Sequence, residues 1–560
     1  MSIENKEKRT ASSANAGGGQ EQNPAAAFDE ATTLSSDGVI PQALPAKTPS
    51  VETKDSEGPS SMASKRLYRL ADAVMSLFMM AMGYFFIQCF VLNEIGLGAS
   101  VFSLLFFGSA LLYAHVCRIR VKASGYILLG IIPLFGLIFF FSGNMWIKGM
   151  NLLFLLLYSG YAVMALFGRR AENRMGDFSG ADWLKAVIVM PFSRFGVCFA
   201  SLSALGKEKR GRRVLLALIG ILIALIPTAA AGSLLIRADA VFAGMVQGID
   251  FSLSDLGWNF KLFCFGLPAA MYLAGMFYAS ASDANPNLLN AERSRAYASR
   301  MRFLPAVVTC TAMLPLCLLY ILFFISQTAY FLSAFAGMLP EGIGTADYAR
   351  QGFFELCRVA VINGVMIALV SVFTKRNAHG KKPQALKLMI TVLSGFTLAL
   401  IAVAMSKMLL YIGQYGLTQK RVYTIWFMCL LAVFFLFVVI RQFVPRFNLT
   451  LASFVLFCVM WGTLAFSDSD GLIAKYNVDR YQKGDAETVD IESMTALGDA
   501  AVPYVLPLCG PGSEPGDPIG RAAQSWIDCQ REIHNQQQEL SWISLNLPRL
   551  RAAAMLKTVS

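Results

Sequence analysis

Residues 388–466 read LMITVLSGFTLALIAVAMSKMLLYIGQYGLTQKRVYTIWFMCLLAVFFLFVVIRQFVPRFNLTLASFVLFCVMWGTLAF. Three apolar runs, 388–412, 422–440 and 448–466, are separated by two short polar turns that carry Lys420, Arg421, Arg441 and Arg446. Each run is long enough to cross a hydrocarbon layer of about 30 Å at about 1.5 Å per helical residue. The runs are continuous, not alternating, which predicts helices and not an outer-membrane barrel. Upstream, the same pattern recurs at 70–92, 99–117, 124–142, 152–168, 214–236, 259–280, 303–325 and 353–373. The predicted fold is all-α: a polytopic membrane protein of about eleven transmembrane helices.

Composition agrees. The 560 residues are 56% hydrophobic and 15% charged, with a mean hydropathy of +0.53. Soluble domains carry about 25% charged residues. The net charge is +12, but the basic residues gather at alternate span ends. With the N-terminus inside, the inner loops hold Lys65 to Arg69, Arg118 to Lys122, Arg169 to Arg174, Lys207 to Arg213, Arg293 to Arg302, Lys375 to Lys387, and Arg441 with Arg446. The outer loops hold only Lys148, Arg237, Arg350, Lys420 and Arg421. This bias predicts a cytoplasmic N-terminus, an extracytoplasmic C-terminus and a bacterial inner-membrane location. The expected partner is the lipid bilayer, with lipid headgroups or an envelope protein as further candidates, and no nucleic acid.

Three regions fall outside the spans. Residues 1–64 are Ala-, Ser-, Gly- and Glu-rich without apolar periodicity, and are read as a disordered cytoplasmic tail before a membrane domain at 65–466. The stretch 178–206, FSGADWLKAVIVMPFSRFGVCFASLSALG, is interrupted by Lys185, Pro191 and Arg194, and is read as interfacial or re-entrant. Residues 467–560 are polar and form a small extracytoplasmic segment, with helix expected near 490–508 and an amphipathic helix at 519–545. Two of the eleven cysteines, Cys509 and Cys529, lie there. They are read either as a disulfide in an oxidising exterior or as two separate thiols.

No phosphate-binding loop, dinucleotide fingerprint or nucleophile elbow is found, and His115, His379 and His534 are far apart. No catalytic residue, metal or cofactor is assigned. Polar residues within spans are costly and mark function or helix pairing. Tyr348, Gln351, Glu355 and Arg358 share one helical face, with Arg350 beside them and Asn363 deeper. Lys407, Tyr411 and Gln414 share a face of the next span, and Tyr415 and Arg421 continue it into the turn. Topology puts both groups in the outer third of the membrane. A Glu355–Lys407 or Glu355–Arg358 ion pair is expected there, as an interhelical clamp or as a site for a ligand or headgroup.

The segments YARQGFFELCRVAVIN (348–363), SKMLLYIGQYGLTQKRVY (406–423) and IAKYNVDRYQKGDAETVDIESMTALGDAAVP (473–503) together resemble uncharacterised bacterial polytopic membrane proteins catalogued as a domain of unknown function of the 4153/4173 type. The resemblance covers roughly 70–505 and implies a helical inner-membrane protein with an extracytoplasmic end. It brings no substrate and no catalytic residues. The leading functional expectation is a non-enzymatic envelope protein, transporter-like, sensory or scaffolding. The alternatives are a transferase acting on a lipid-linked substrate, with Glu355, Asp468 or Asp470 as acid or base, and a secondary transporter.

Overall fold

The computed structural model describes residues 69–172, 175–176, 179–205, 253–282, 299–335, 353–377, 381–509, 518–536 and 541–558, with isolated helical positions between 213 and 235 and at 296 and no others. The predicted tail 1–64 and most of the predicted span 214–236 lie outside the described residues, as do Tyr348 and Arg350.

The other ten predicted spans are all helices long and apolar enough to cross a membrane. They are α1 (Leu70–Ile87, extended by a wider turn to Leu92), α2 (Leu97–Val116), α3 (Ala123–Gly136, continued to Phe141) and α4 (Met145–Leu166). After a bent pair, α5 (Ser179–Ser193) and α6 (Val197–Leu205), come α7 (Leu253–Ala281), α8 (Ala306–Phe335), α9 (Phe353–Phe373), α10 (Gln384–Tyr415), α11 (Gln419–Phe443) and α12 (Leu449–Phe466). The chain is a multi-pass all-α membrane protein. A helix satisfies its own backbone, so no hydrogen bond need be sought in hydrocarbon. Among the described residues, extended backbone pairs only at a bridge between Leu304 and Thr374. Side-chain caps set several boundaries. Asn144 accepts from Ile147 N at the start of α4, and Asn448 from Leu451 N at the start of α12.

The spans pack as two groups, each with its own buried core. The first joins α1 to α7 and the end of α12, and is centred on Tyr158, Tyr161, Phe139 and Phe277. The second joins α8 to α11 around Ile390, Leu393, Met428 and Phe435. In the second group Tyr320 O–H donates to Asn363 Oδ1 (2.6 Å), and Asn363 Nδ2 donates to Thr397 Oγ1 (2.9 Å). The deep Asn363 is therefore fully buried and tied into three helices, as an interhelical clamp requires.

The arms α5 and α6 meet at 46°. The carboxylate of Asp182 accepts from Ala171 N, Tyr272 O–H donates to Val187 O (2.9 Å), and the Ser76 and Ser201 hydroxyls are 2.9 Å apart. Gly275 packs on Pro191 O. Ser76, Tyr272 and Gly275 all belong to one half of the membrane domain, the half remote from the C-terminal segment.

That segment folds as a cap. Helix α13 (Ser469–Gln482), 3-10 turns across Glu492–Ala501 and Leu506–Cys509, α14 (Pro518–Gln536) and α15 (Leu547–Thr558) enclose Met494, Val502, Val505, Ala523, Ile527 and Ala552. The 490–508 stretch thus supplies core turns, with only a single helical turn at Val502–Val505, and the amphipathic helix spans 518–536. The chain end then returns to the first helix group. Leu97 N donates to Leu545 O (2.8 Å), and Arg549 pairs with Glu94 (2.9 Å).

Candidate functional site

The polar hairpin between α10 and α11 is built by α13. Gly416 ends α10 at φ +73 and ψ −172, a region essentially reserved for glycine. Leu417 N donates to Asn477 Oδ1 (2.8 Å), and Asn477 Nδ2 donates to Leu417 O (2.9 Å). Arg480 donates to Gly413 O (2.7 Å) and to Ile412 O (3.4 Å), which also accepts from Gly416 N (2.9 Å), at the end of α10. Arg421 donates to Tyr415 O and Gly416 O, and its guanidinium lies 4.2 Å over the Tyr411 ring. The rings of Tyr411 and Tyr415 are 5.0 Å apart. Tyr411, Tyr415 and Arg421 therefore do form one cluster. A Cβ at Gly416 would meet Asn477 Oδ1 at 2.5 Å. Gly416→Ala is expected to lower stability by about 3 kcal/mol, combining forbidden backbone with the lost Asn477 clamp. Chemical unfolding in mild detergent checks this.

Of the other predicted members, Tyr348 and Arg350 lie outside the described residues. Glu355 and Arg358 are exposed on α9, and Lys407 is half-buried on α10. Among the described residues Glu355 pairs with neither Lys407 nor Arg358. The expected ion pair is corrected on this point: Glu355 lies exposed at the start of α9 and makes neither of the two expected pairs. Cys509 is a half-buried thiol near Val505 O (3.8 Å), and Cys529 is an exposed thiol on α14. Both are free thiols in the structure. Among the described residues no three His, Cys, Asp or Glu side chains gather as a metal site.

A second polar centre lies one helical turn away, on the other face of α11. Asp470, 4% exposed, sits in the first turn of α13. Asn144 Nδ2 donates to both its oxygens (2.7 and 3.0 Å), and Gln419 Nε2 donates to Oδ1 (3.0 Å). Asn144 also donates to Tyr423 O–H (2.6 Å), and Gln419 to Ala496 O (2.9 Å). One carboxyl thus fastens α4, α11 and the cap together. Burial pushes its pKa up to about 6 against the opposing pull of the Asn144 and Gln419 hydrogen bonds. Burial raises the neighbouring Asp468 as well. Asp470 was visible in the sequence as a candidate acid or base. Asn144 and Gln419 were not, since only the fold brings Asn144 across 326 positions to Asp470.

Below this centre a groove of about 900 Å³ runs between the two helix groups, walled by α4, α11 and α12. One side is a ladder of rings. From Tyr423 it passes to Trp146 (4.2 Å, stacked), Trp461 (6.1 Å), Phe457 (6.4 Å), Phe154 (5.3 Å) and Tyr158 (5.3 Å). Trp183 of the bent pair closes the far end, 6.5 Å from Tyr158.

A family model described as a domain of unknown function, DUF4153, matches residues 129–508. The chain belongs to this family. The DUF4153 region contains Asn144, Gln419, Tyr423 and Asp470, the whole ring ladder and the clamped hairpin, so both polar centres are built within it. It begins inside α3 and ends at the last core turn of the cap, leaving α1, α2, α14 and α15 outside. The match is narrower than the 70–505 that the resemblance suggested. No curated protein and no solved structure matches the chain.

Proposed function

We propose that this DUF4153 protein is a non-enzymatic protein of the cell envelope that binds a polar or amphipathic ligand on its outward face, where the cap meets both helix groups. One observation carries the reading: Asp470 is buried, is hydrogen-bonded among the described residues by the neutral amides of Asn144 and Gln419, and stands at the junction of all three parts. A carboxyl kept there without a cation costs stability, and such costs concentrate at functional sites. The Arg421, Tyr411 and Tyr415 cluster on the same hairpin supplies a charge and aromatic edges for a headgroup. Native mass spectrometry of gently extracted protein tests the reading. The expected result is a bound lipid or small molecule that disappears in Asp470→Asn and in Arg421→Gln. A stoichiometric protein partner without any ligand would turn the reading toward a scaffold.

The orientation belongs to the same proposal: N-terminus in the cytoplasm, cap outside, in a bacterial inner membrane. Eleven crossings need the α5–α6 pair to turn back, and its contacts with Ser76, Tyr272 and Gly275 in one half of the bundle support that. A thiol reagent that cannot cross the membrane is expected to label exposed Cys529 in intact cells, without prior reduction, and to miss Cys529→Ser. Labelling only after the cells are opened would remove this orientation.

A transferase is the second reading, favoured by one feature: the Asp470 carboxyl titrates near 6, suited to proton exchange near neutrality. Turnover of a lipid-linked donor lost in Asp470→Asn and kept in Asp468→Asn would select it.

A further inference from the structure

We infer that the groove between the two helix groups is the seat of one hydrocarbon chain of a membrane lipid, held with its polar end toward Asp470. The inference rests on the proposed polar site and names the class of molecule that fills it. The location comes first. Leu153 and Leu157 on α4 and Phe427 on α11 line the groove and are 37–49% exposed, at positions well inside the apolar spans. A groove open at that depth faces acyl chains, not water.

Length and volume choose the occupant. The lining runs from Trp146 to Leu157 on α4 and from Thr450 to Trp461 on α12. At 1.5 Å per residue each wall is about 16 Å long. Trp146 stands near the cap end of α4 and Thr450 near the remote end of α12, so the groove passes the mid-plane of a hydrocarbon core of about 30 Å, as one long acyl chain would. The groove's 900 Å³ accommodates a slender chain laid along these walls.

Wall chemistry sets the direction. No charged side chain lines the groove. The rings of Trp146, Phe154, Phe457 and Trp461 offer flat apolar faces to the occupant. At the cap end the lining finishes at Tyr423, whose hydroxyl shares the Asn144 amide with Asp470. The opposite end is closed by Trp183 and Met175. A chain therefore enters with its terminal methyl toward Trp183, and its headgroup rests beside the polar centre.

The test uses the full-length protein, reconstituted with a defined phosphatidylglycerol, moved into a delipidating detergent and weighed by native mass spectrometry. The wild type is expected to keep one phospholipid. Leu153→Trp and Leu430→Trp, which fill the groove, should each lower its occupancy at least tenfold. Val307→Trp, on the 76% exposed face of α8 away from the groove, should leave it unchanged. Equal retention in the groove-filled variants would overturn the inference, and so would equal loss in Val307→Trp. Should both filled variants fail to fold, the wild type loaded with a bromine-labelled acyl chain decides. Tryptophan quenching that survives detergent exchange supports the seat, and quenching that washes out removes it. Asp470→Asn separates the two readings. A chain still held there keeps the groove and removes the polar site, whereas loss in Asp470→Asn with normal retention in Leu153→Trp keeps the polar site and removes the groove.

Discussion

Gly83→Leu is expected to abolish the folded membrane domain, and Gly266→Leu to do the same. The two glycines face each other where α1 crosses α7. A Cβ on Gly83 would stand 2.4 Å from Gly266 O and 2.8 Å from Ala270 Cβ. A Cβ on Gly266 would stand 2.6 Å from Gly83 O. The obstacle on both sides is backbone, which cannot swing away as a side chain can. Overpacking a core against side chains costs about 1–3 kcal/mol, and forcing two helix axes apart exceeds that. In lipid the pair gains little from hydrophobic burial, so close van der Waals contact between small residues carries the association. Separation would also break the Tyr84–Asn259 hydrogen bond (2.7 Å), and it would disturb the seating of α6, since Ser201 bonds Ser76 on α1 and Cys198 lies 3.8 Å from Ala270 O on α7. Size-exclusion profiles and thermal midpoints in mild detergent check the prediction. A monodisperse Gly83→Leu protein with an unchanged midpoint would show that this crossing does not hold the domain together.

Asp470→Leu is expected to loosen the cap from the membrane domain. The substitution removes both Asp470 hydrogen bonds of the buried Asn144 amide and one of the two made by the half-buried Gln419 amide. Each group left short costs about 1–3 kcal/mol, so the attachment weakens by roughly 2–5 kcal/mol. Hydrogen exchange of α13 and of the core turns at Glu492–Ala501 reads the loosening. Acidity acts on the same carboxyl, and its direction follows from the raised pKa. The folded protein holds this proton up to about pH 6, whereas an unfolded aspartate releases it near 4. The folded state binds more protons between those values. Its contribution to stability is therefore full below pH 4 and is lost as the pH rises through 6, by up to about 3 kcal/mol. The prediction is accordingly the difference between wild type and Asp470→Asn: the wild type alone should gain attachment on going from pH 7 to pH 4. Parallel pH profiles in the two proteins would dismiss a role for Asp470 ionisation.

The ten described spans were legible because each is a local property. About twenty consecutive apolar residues must be helical in a bilayer, whatever lies beside them. The segments that carry the family resemblance also gain a physical reason. Those at 406–423 and 473–503 meet, with Asn477 and Arg480 closing the hairpin around Gly416. The Glu355–Lys407 pairing was less legible. Residues of similar depth need not face each other, since depth follows from residue count and facing follows from helix rotation.

By itself the sequence determined the helical class, the span positions and the basic bias, since chain length, hydropathy and charge do not depend on distant contacts. Only the tertiary structure decided which polar groups meet. Asn144 reaches Asp470 because α4 and α13 begin at the same place in space. Gly83 matters because a second helix crosses there. The groove exists because two separately packed helix groups leave room between α4, α11 and α12. Such features depend on how helices rotate and pack, and packing is fixed by shape across the whole bundle, which no single stretch of sequence contains.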